Sequence, residues 1–418
     1  MIIGGGPGGL CLAQGLAANG IAARVFERDR SPSDRLGGYR LGINATGSEA
    51  LRACLPAARF EALRARSARP SEAVTFLDQR LGKLLGVELG SSTSASDHPV
   101  SRNVLRRVLL EGLEARVHFG KTLVGFETAP GVGVRARFED GSSATGTLLV
   151  GADGASSRVR QQLLPHARRV ETGIEIVTGK FALTEGVRAR TPSAIWRGPT
   201  LVLGPKGRFL FANAVEYPPD EAVRRYGAAD LSAASAPHDE REEYVMWGFS
   251  TWRAAFPVTG IEALEPAALK SAVLGLMTGW HPKLRQLIQS AEPASLAAFA
   301  AKTSLPIAPW HTSQVTLLGD ALHNMTPYRG VGANTALWDA ALLTRTLVDV
   351  HNGRAPLLDA LASYERQMIE HGFAAVRASQ QEMRRLHDTS LLGRLATKTL
   401  FRAADRVRPL RALFHAAS

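Results

Sequence analysis

The 418-residue chain is poor in the residues that most often announce a special chemistry. It has two cysteines, Cys11 and Cys54, and neither lies in a CxxC or a metal-ligand spacing. That argues against a disulfide framework and for a reducing compartment, with both thiols acting as small buried hydrophobes. HExxH and Cys/His clusters are missing too, so no metal site is expected. No apolar run approaches the ~20 residues of a membrane-spanning helix. A signal peptide is also disfavoured, because the start carries no basic region and Gly4, Gly5, Gly6, Gly8 and Gly9 oppose a compact apolar helix. A cytoplasmic location is expected.

Acidic residues are the other shortage: 38 Asp and Glu face 50 Lys and Arg, a formal net charge of +12. The arginines are spread along the chain without a nucleic-acid motif, so a solvated basic surface that helps capture anionic cofactors is expected, and no nucleic acid. What remains, 45% hydrophobic and 21% charged, describes a globular protein with about two or three structural units.

Ile2 and Ile3 read as the end of a buried strand, followed by a glycine turn, a helix over 8–19 and a second strand over 23–27. This is a β-α-β unit with parallel strands. Its first strand is short, and the true start is expected upstream. Residues 102–116 read as one amphipathic helix, with Val104, Leu105, Val108, Leu109 and Leu113 on one face. Three strands of a meander are expected at 117–126, 132–138 and 147–150. The stretch 171–254 is β-rich and carries Trp196, Phe209, Phe211, Tyr217, Trp247, Phe249 and Trp252. Helices are expected at 266–290, a strand at 315–318, a helix from Gly332, and mostly helix over 357–417.

The fold class is therefore α/β: a discontinuous Rossmann-like dinucleotide-binding domain (1–75, 96–170 and 300–350), an inserted β-sheet substrate domain (76–95 and 171–299), and C-terminal helices (351–418).

Three motifs carry the chemistry. In Gly4-Gly5-Gly6-Pro7-Gly8-Gly9, a GxGxxG, one glycine permits the tight turn, one lets backbone approach a pyrophosphate, and one allows close helix–strand packing. The following helix N-terminus offers N–H groups to phosphates, and Glu27, closing the second strand, suits ribose hydroxyls. This motif alone does not choose between NAD and FAD. The second motif, Gly151-Ala152-Asp153-Gly154 followed by Ser156-Ser157-Arg158-Val159-Arg160, follows an apolar strand and opens a helix, where a plain capped turn is the alternative. The third begins at Gly319-Asp320 and runs through Pro327, Gly330 and Gly332 to Ala333-Asn334. Its strand-terminal acid suits a ribityl chain, and the helix N-terminus suits the negative charge of a reduced flavin.

In this order the three motifs resemble the group A flavoprotein monooxygenases, of the p-hydroxybenzoate hydroxylase-like and salicylate hydroxylase-like type, over roughly residues 1–370. The resemblance implies a GR2-type FAD-binding domain. It places Gly4, Gly6, Gly9 and Glu27 on the ADP half of FAD, and Arg40 and Arg102 near the flavin and its phosphates. Asp153 and Gly154 match the motif tied to FAD and NAD(P)H, with Arg160 bracing it. Asp320 matches a ribityl or pyrophosphate contact, and Pro327, Gly330, Gly332, Ala333 and Asn334 would line the isoalloxazine. Val331 stands where many relatives carry Gln, and Trp338 where a charge is usual. The WxWxIP motif of the halogenase branch is absent.

The implied activity is FAD-dependent, NAD(P)H-consuming monooxygenation of a small aromatic or unsaturated substrate by molecular oxygen, through a flavin C4a-hydroperoxide. A flavin-dependent reductase that saturates prenyl chains and a non-catalytic FAD-binding partner protein are the alternatives. No catalytic residue is assigned; Arg197, Tyr217 and His323 are candidates, each with a structural alternative. The basic C-terminal helix is expected to pack on its own protein or a dimer mate, not on a membrane, in a monomer or homodimer.

Overall fold

The computed structural model describes residues 1–32, 34, 40–90, 97–129, 133–218 and 242–406. The first residue of the expected 132–138 strand, and the expected helix beyond 406, lie outside them.

β1 (Ile2–Ile3) enters the glycine turn, α1 (Pro7–Ala18) follows, and β2 (Val25–Phe26) returns parallel to β1. β3 (Arg40–Ile43) leads into α2 (Ala45–Cys54) and α3 (Ala57–Ala65). β4 (Ala73–Asp78) and β5 (Lys83–Glu88) form an antiparallel pair. β6 (His98–Ser101) runs back along β3 and continues into α4 (Arg102–Leu110).

After β7 (Val117–His118) comes a meander of β8 (Leu123–Ala129), β9 (Gly133–Phe138) and β10 (Ser143–Gly146). β11 (Leu149–Gly151) and α5 (Arg158–Leu163) complete this part. Then follow β12 (Arg169–Ala182), β13 (Thr200–Leu203), β14 (Phe209–Val215) and β15 (Tyr244–Trp252). Helices α6 (Pro266–Leu276) and α7 (Pro282–Gln289) precede β16 (Ala297–Ser304). β17 (Val315–Leu317), α8 (Asp320–His323), α9 (Gly332–His351), α10 (Leu357–Leu386) and α11 (Leu391–Arg406) close the described chain.

A parallel sheet in the order β17-β11-β1-β2-β7 holds the three motif turns at the carboxyl ends of β1, β11 and β17. The expected meander is corrected here. Gly120, at φ +69°, breaks the 117–126 strand, so β7 joins the parallel sheet and β8 starts the meander. β11 joins the parallel sheet as well, and all three of its residues are buried, as expected of a strand covered on both faces. The expected 102–116 helix also stops early: α4 ends at Leu110, just before Gly112 at φ +74°.

The second layer is a seven-stranded sheet ordered β16-β12-β15-β14-β13-β4-β5. The domain edges drawn from sequence fall inside its strands, since β4 begins at Ala73, β12 at Arg169, and β16 runs to Ser304. Strand alternation divides its residues between two faces. On the far face, Leu210, Ala212, Val245, Trp247 and Phe249 pack against α6 and α7. Phe209 and Phe211 lie on the near face, in a cluster with Leu386 of α10, Phe401 of α11 and Tyr328 of the third motif.

At 30 residues, about 45 Å of helix, α10 spans both layers. Tyr364, Met368, Phe373 and Val376 pack into the parallel-sheet core, and Met383 and Leu386 reach the seven-stranded sheet. α11 packs Phe401 and Ala404 against Leu84 and Leu85 of β5, while Leu391, Leu392, Leu395 and Leu400 stay exposed. Among the described residues no helix is long and apolar enough to cross a membrane.

Candidate FAD cradle and substrate face

The glycine turn is built by close approach. A Cβ on Gly4, itself at φ +109°, would lie 2.3 Å from the carbonyl oxygen of Ala152, and one on Gly9 would lie 2.2 Å from that of Gly4. At Gly6 no atom of the described residues lies within 4 Å. The side of the turn that needs no packing is therefore the side left open for a ligand. Glu27 holds the turn from below: its carboxylate accepts from the Gly5 N–H at 2.5 Å and the Asp29 N–H at 2.9 Å. Each oxygen keeps a lone pair for a ribose hydroxyl. Gly6 caps α1 without a side chain, so the first N–H groups of α1 face that open side.

In the second motif, Oδ2 of Asp153 accepts from the Arg158 and Val159 N–H groups, at 2.8 and 3.3 Å. Its Oδ1 is buried without a partner among the described residues, and burial pushes the carboxyl above its usual range against these hydrogen bonds. Ser157 caps α5 through Arg160 N–H. The buried Arg160 guanidinium then donates to the carbonyl oxygens of Ala155 at 3.1 Å and Ala321 at 2.9 Å. One side chain thus ties the second motif to the third.

The third motif turns at Gly319 (φ +62°), whose N–H donates to Asp339 Oδ2 at 2.8 Å. The same oxygen meets His323 Nε2 at 2.6 Å, and neither side chain has exposed surface. Burial disfavours the imidazolium, but the charge and hydrogen bond of Asp339, with Asp320 adding to them, raise the His323 pKa overall. His323 braces the turn and does not reach open space. Asp320, next to this brace, is half-buried, and a Cβ on Gly332 at the start of α9 would lie 3.9 Å from its Oδ1. Pro327 and Gly330 are exposed beside it, and Ala333 is half-buried.

Asn334, expected beside the isoalloxazine, lies in the first turn of α9. Its side chain is buried, donating to Gly42 O at 2.9 Å and accepting from Asn44 N–H at 3.0 Å, so it locks α9 to β3. Trp338, the unusual residue in this motif, stacks on His371 with ring centroids 4.0 Å apart.

Arg40 pairs with Ser101 across β3 and β6, which puts it beside Arg102 at the start of α4. Arg102 is exposed. Burial lowers the Arg40 pKa while Tyr244, Asp97 and Tyr217 counteract it, so those three groups surround the guanidinium. Tyr217 packs beside Val215 and Tyr244. Arg197 is not brought to this place. It is exposed at the sheet edge, paired with Glu72 at 3.2 Å and Glu88 at 2.6 Å.

The near face crosses β14 and β15 in four rungs: Phe209 opposite Ser250, Phe211 opposite Gly248, Asn213 opposite Met246, and Val215 opposite Tyr244. At the first rung, Tyr328 from the Pro327–Arg329 turn stacks edge-on against Phe209 and His387. Ser250 Oγ lies 2.9 Å from His387 Nε2, and His387 Nδ1 lies 2.9 Å from Met383 O. Burial lowers the His387 pKa to about 4, despite those hydrogen bonds. The last rung meets the Arg40 group. Between them Phe211, Gly248 and Met246 keep part of their surface open. Sequence reasoning missed Asn213, Ser250, Tyr328 and His387. A lone Asn among Phe209, Phe211 and Val215, in the same alternation, was the one available signal.

Three glycine-rich turns at one edge of a parallel sheet, facing a half-open apolar sheet face, define an FAD-binding α/β protein. The chain belongs to the FAD binding domain family, whose model matches residues 1–192 and 281–379, and to its monooxygenases of the p-hydroxybenzoate hydroxylase and salicylate hydroxylase type. It is 32% identical over 384 residues to the dual O-methyltransferase/FAD-dependent monooxygenase CTB3 of Cercospora beticola, covering 88% of this chain and 44% of that protein. The chain thus spans about half the length of such two-function relatives. It is 28% identical to the FAD-dependent monooxygenase phnB of Penicillium herquei, over 93% of this chain and 91% of that one. The crystal structure of a candidate FAD-containing monooxygenase of Photorhabdus luminescens superposes with a TM-score of 0.81 at 32% identity, over 92% of this chain and 97% of that one.

Proposed function

We propose that the chain is an FAD-dependent monooxygenase that takes electrons from NAD(P)H and places one atom of molecular oxygen on a small aromatic or unsaturated substrate. The observation that carries this reading is the juxtaposition of the cradle with the open near face, joined by Tyr328 on Phe209. The names of the relatives support it. FAD, when bound, supplies the electron transfer and the oxygen transfer.

The chain's own part is binding, orientation and exclusion of water. The α1 N-terminus and Gly6 receive the pyrophosphate, and Glu27 the adenosine ribose. Asp320 accepts from the ribityl hydroxyls. The α9 N-terminus, whose cap Val331 offers no side-chain acceptor, would offer its free N–H groups to the flavin ring and favour negative charge on it. The apolar rungs of the near face remove water from the substrate's ring.

The test is FAD uptake by the purified chain, followed by NADPH oxidation across a panel of planar phenols and prenylated compounds. One FAD per chain and phenol-stimulated, oxygen-consuming NADPH oxidation are expected. Oxidation of NADPH with a prenylated compound and no oxygen uptake would instead indicate the reductase, and FAD binding without any stimulation the non-catalytic partner.

A further inference from the structure

The near face contains a buried carboxamide that the cradle does not use. Asn213 lies in the third rung of β14, opposite Met246, and is only 1% exposed. Its Oδ1 has no hydrogen-bond partner among the described residues. The alternation that sends Ala212 and Leu210 to the far face sends Asn213 to the near one, in line with Phe209 and Phe211. Buried amides are nearly always satisfied, and an orphan acceptor in an apolar wall is a standing penalty unless a ligand meets it. Met246 beside it is half-buried and flexible enough to yield to a ring. Gly248, one rung away, leaves its own space clear, because among the described residues a Cβ there would meet only Thr178 Cγ2 at 3.7 Å.

We infer that the Asn213 carboxamide is a specificity-determining group that accepts a hydrogen bond from an O–H or N–H donor on a planar aromatic substrate lying over Phe211 and Gly248. The donor class follows from the unmet acceptor, and the planar body from the flat, open second rung. A site built to meet a substrate donor rejects the analogue lacking it far more strongly than a purely apolar wall can. This inference rests on the reading that the near face is the substrate face, and adds to it which substrate group is read there.

Isothermal titration calorimetry on the FAD-loaded chain with 2-naphthol and with 2-methoxynaphthalene tests it. The two probes share a ring system and differ in the donor. In the unmodified protein, naphthol is expected to bind at least tenfold more tightly, about 1.4 kcal/mol. In Asn213→Leu the preference should fall below twofold, with methoxynaphthalene binding unweakened and the ligand-free melting temperature equal or higher. Asn213→Ala, a smaller change, should also lose the preference if the leucine variant folds poorly. A tenfold preference that survives in either folded variant, or no naphthol preference in the unmodified protein, overturns the inference. FAD uptake is measured on the same sample before titration, so its failure, which would sink the monooxygenase reading, is recorded separately from the loss of probe preference.

Discussion

Around the cradle, Glu27 is joined to the backbone of Gly5 and Asp29, Arg160 to that of Ala155 and Ala321, and Asn334 to that of Gly42 and Asn44, while Asp153 Oδ1 is left without a partner among the described residues. On the near face of the seven-stranded sheet, Asn213 stands with an unmet acceptor among half-open apolar neighbours. The first region presents backbone N–H groups to a ligand and uses its side chains to hold that backbone still. The second presents side chains from strands distant in sequence. A cofactor common to many enzymes suits the first construction, and a substrate particular to one suits the second.

Substitutions at two glycines separate backbone packing from ligand space most sharply. Gly9→Ala should collapse the soluble, folded yield, because its methyl would meet the Gly4 carbonyl at 2.2 Å. Gly6→Ala should fold with an unchanged melting temperature yet bind FAD at least tenfold more weakly, since its methyl enters only open space. Equal melting temperatures for both variants would break the distinction.

Next in size is Asp320→Ala. Its carboxylate is not part of the Asp339–His323 brace, so the protein should stay folded and lose FAD, read from the visible spectrum after desalting. Full flavin occupancy in that variant would remove Asp320 from the cradle.

The junction between the two regions should show itself in pH. The folded His387 pKa of about 4 lies below the 6.5 of a free imidazole, so the native state resists protonation there. Its contribution is present above about pH 6.5 and is lost as pH falls through 4, an effect of about 3 kcal/mol. His98 is lowered to about 4 as well, so His387→Gln should flatten part of the acid loss of stability, measured by denaturant titration from pH 7 to 4. An unchanged acid slope would mean the Ser250–His387 contact is not formed in solution. The smallest effect belongs to Arg197→Ala: exposed ion pairs contribute about 0–1 kcal/mol, and neither FAD binding nor turnover should change.

The cradle was legible in the sequence because its demands are local. Gly4, Gly9 and Gly319 each stand where a neighbouring backbone or helix comes too close for a side chain, and such positions cluster into readable motifs. Asn334 was read as a flavin contact because its motif names the position; which backbone its side chain bonds depends on β3, some 290 residues away. Strand boundaries at 117–126 failed on a single positive-φ glycine, Gly120. The near face was beyond reach for a different reason. Whether Phe211 or Trp247 faces the cradle depends on a register between β14 and β15, and alternation within one strand fixes parity without saying which parity is inward.

The most direct measurement is a single turnover of the FAD-loaded chain, reduced anaerobically and then mixed with ¹⁸O₂ and the phenol that most stimulates NADPH oxidation. The expected result is one ¹⁸O atom in the product, seen by mass spectrometry. Unaltered phenol, with the oxygen recovered as hydrogen peroxide, would contradict the assignment of the cradle and the near face to a single oxygen-transferring site.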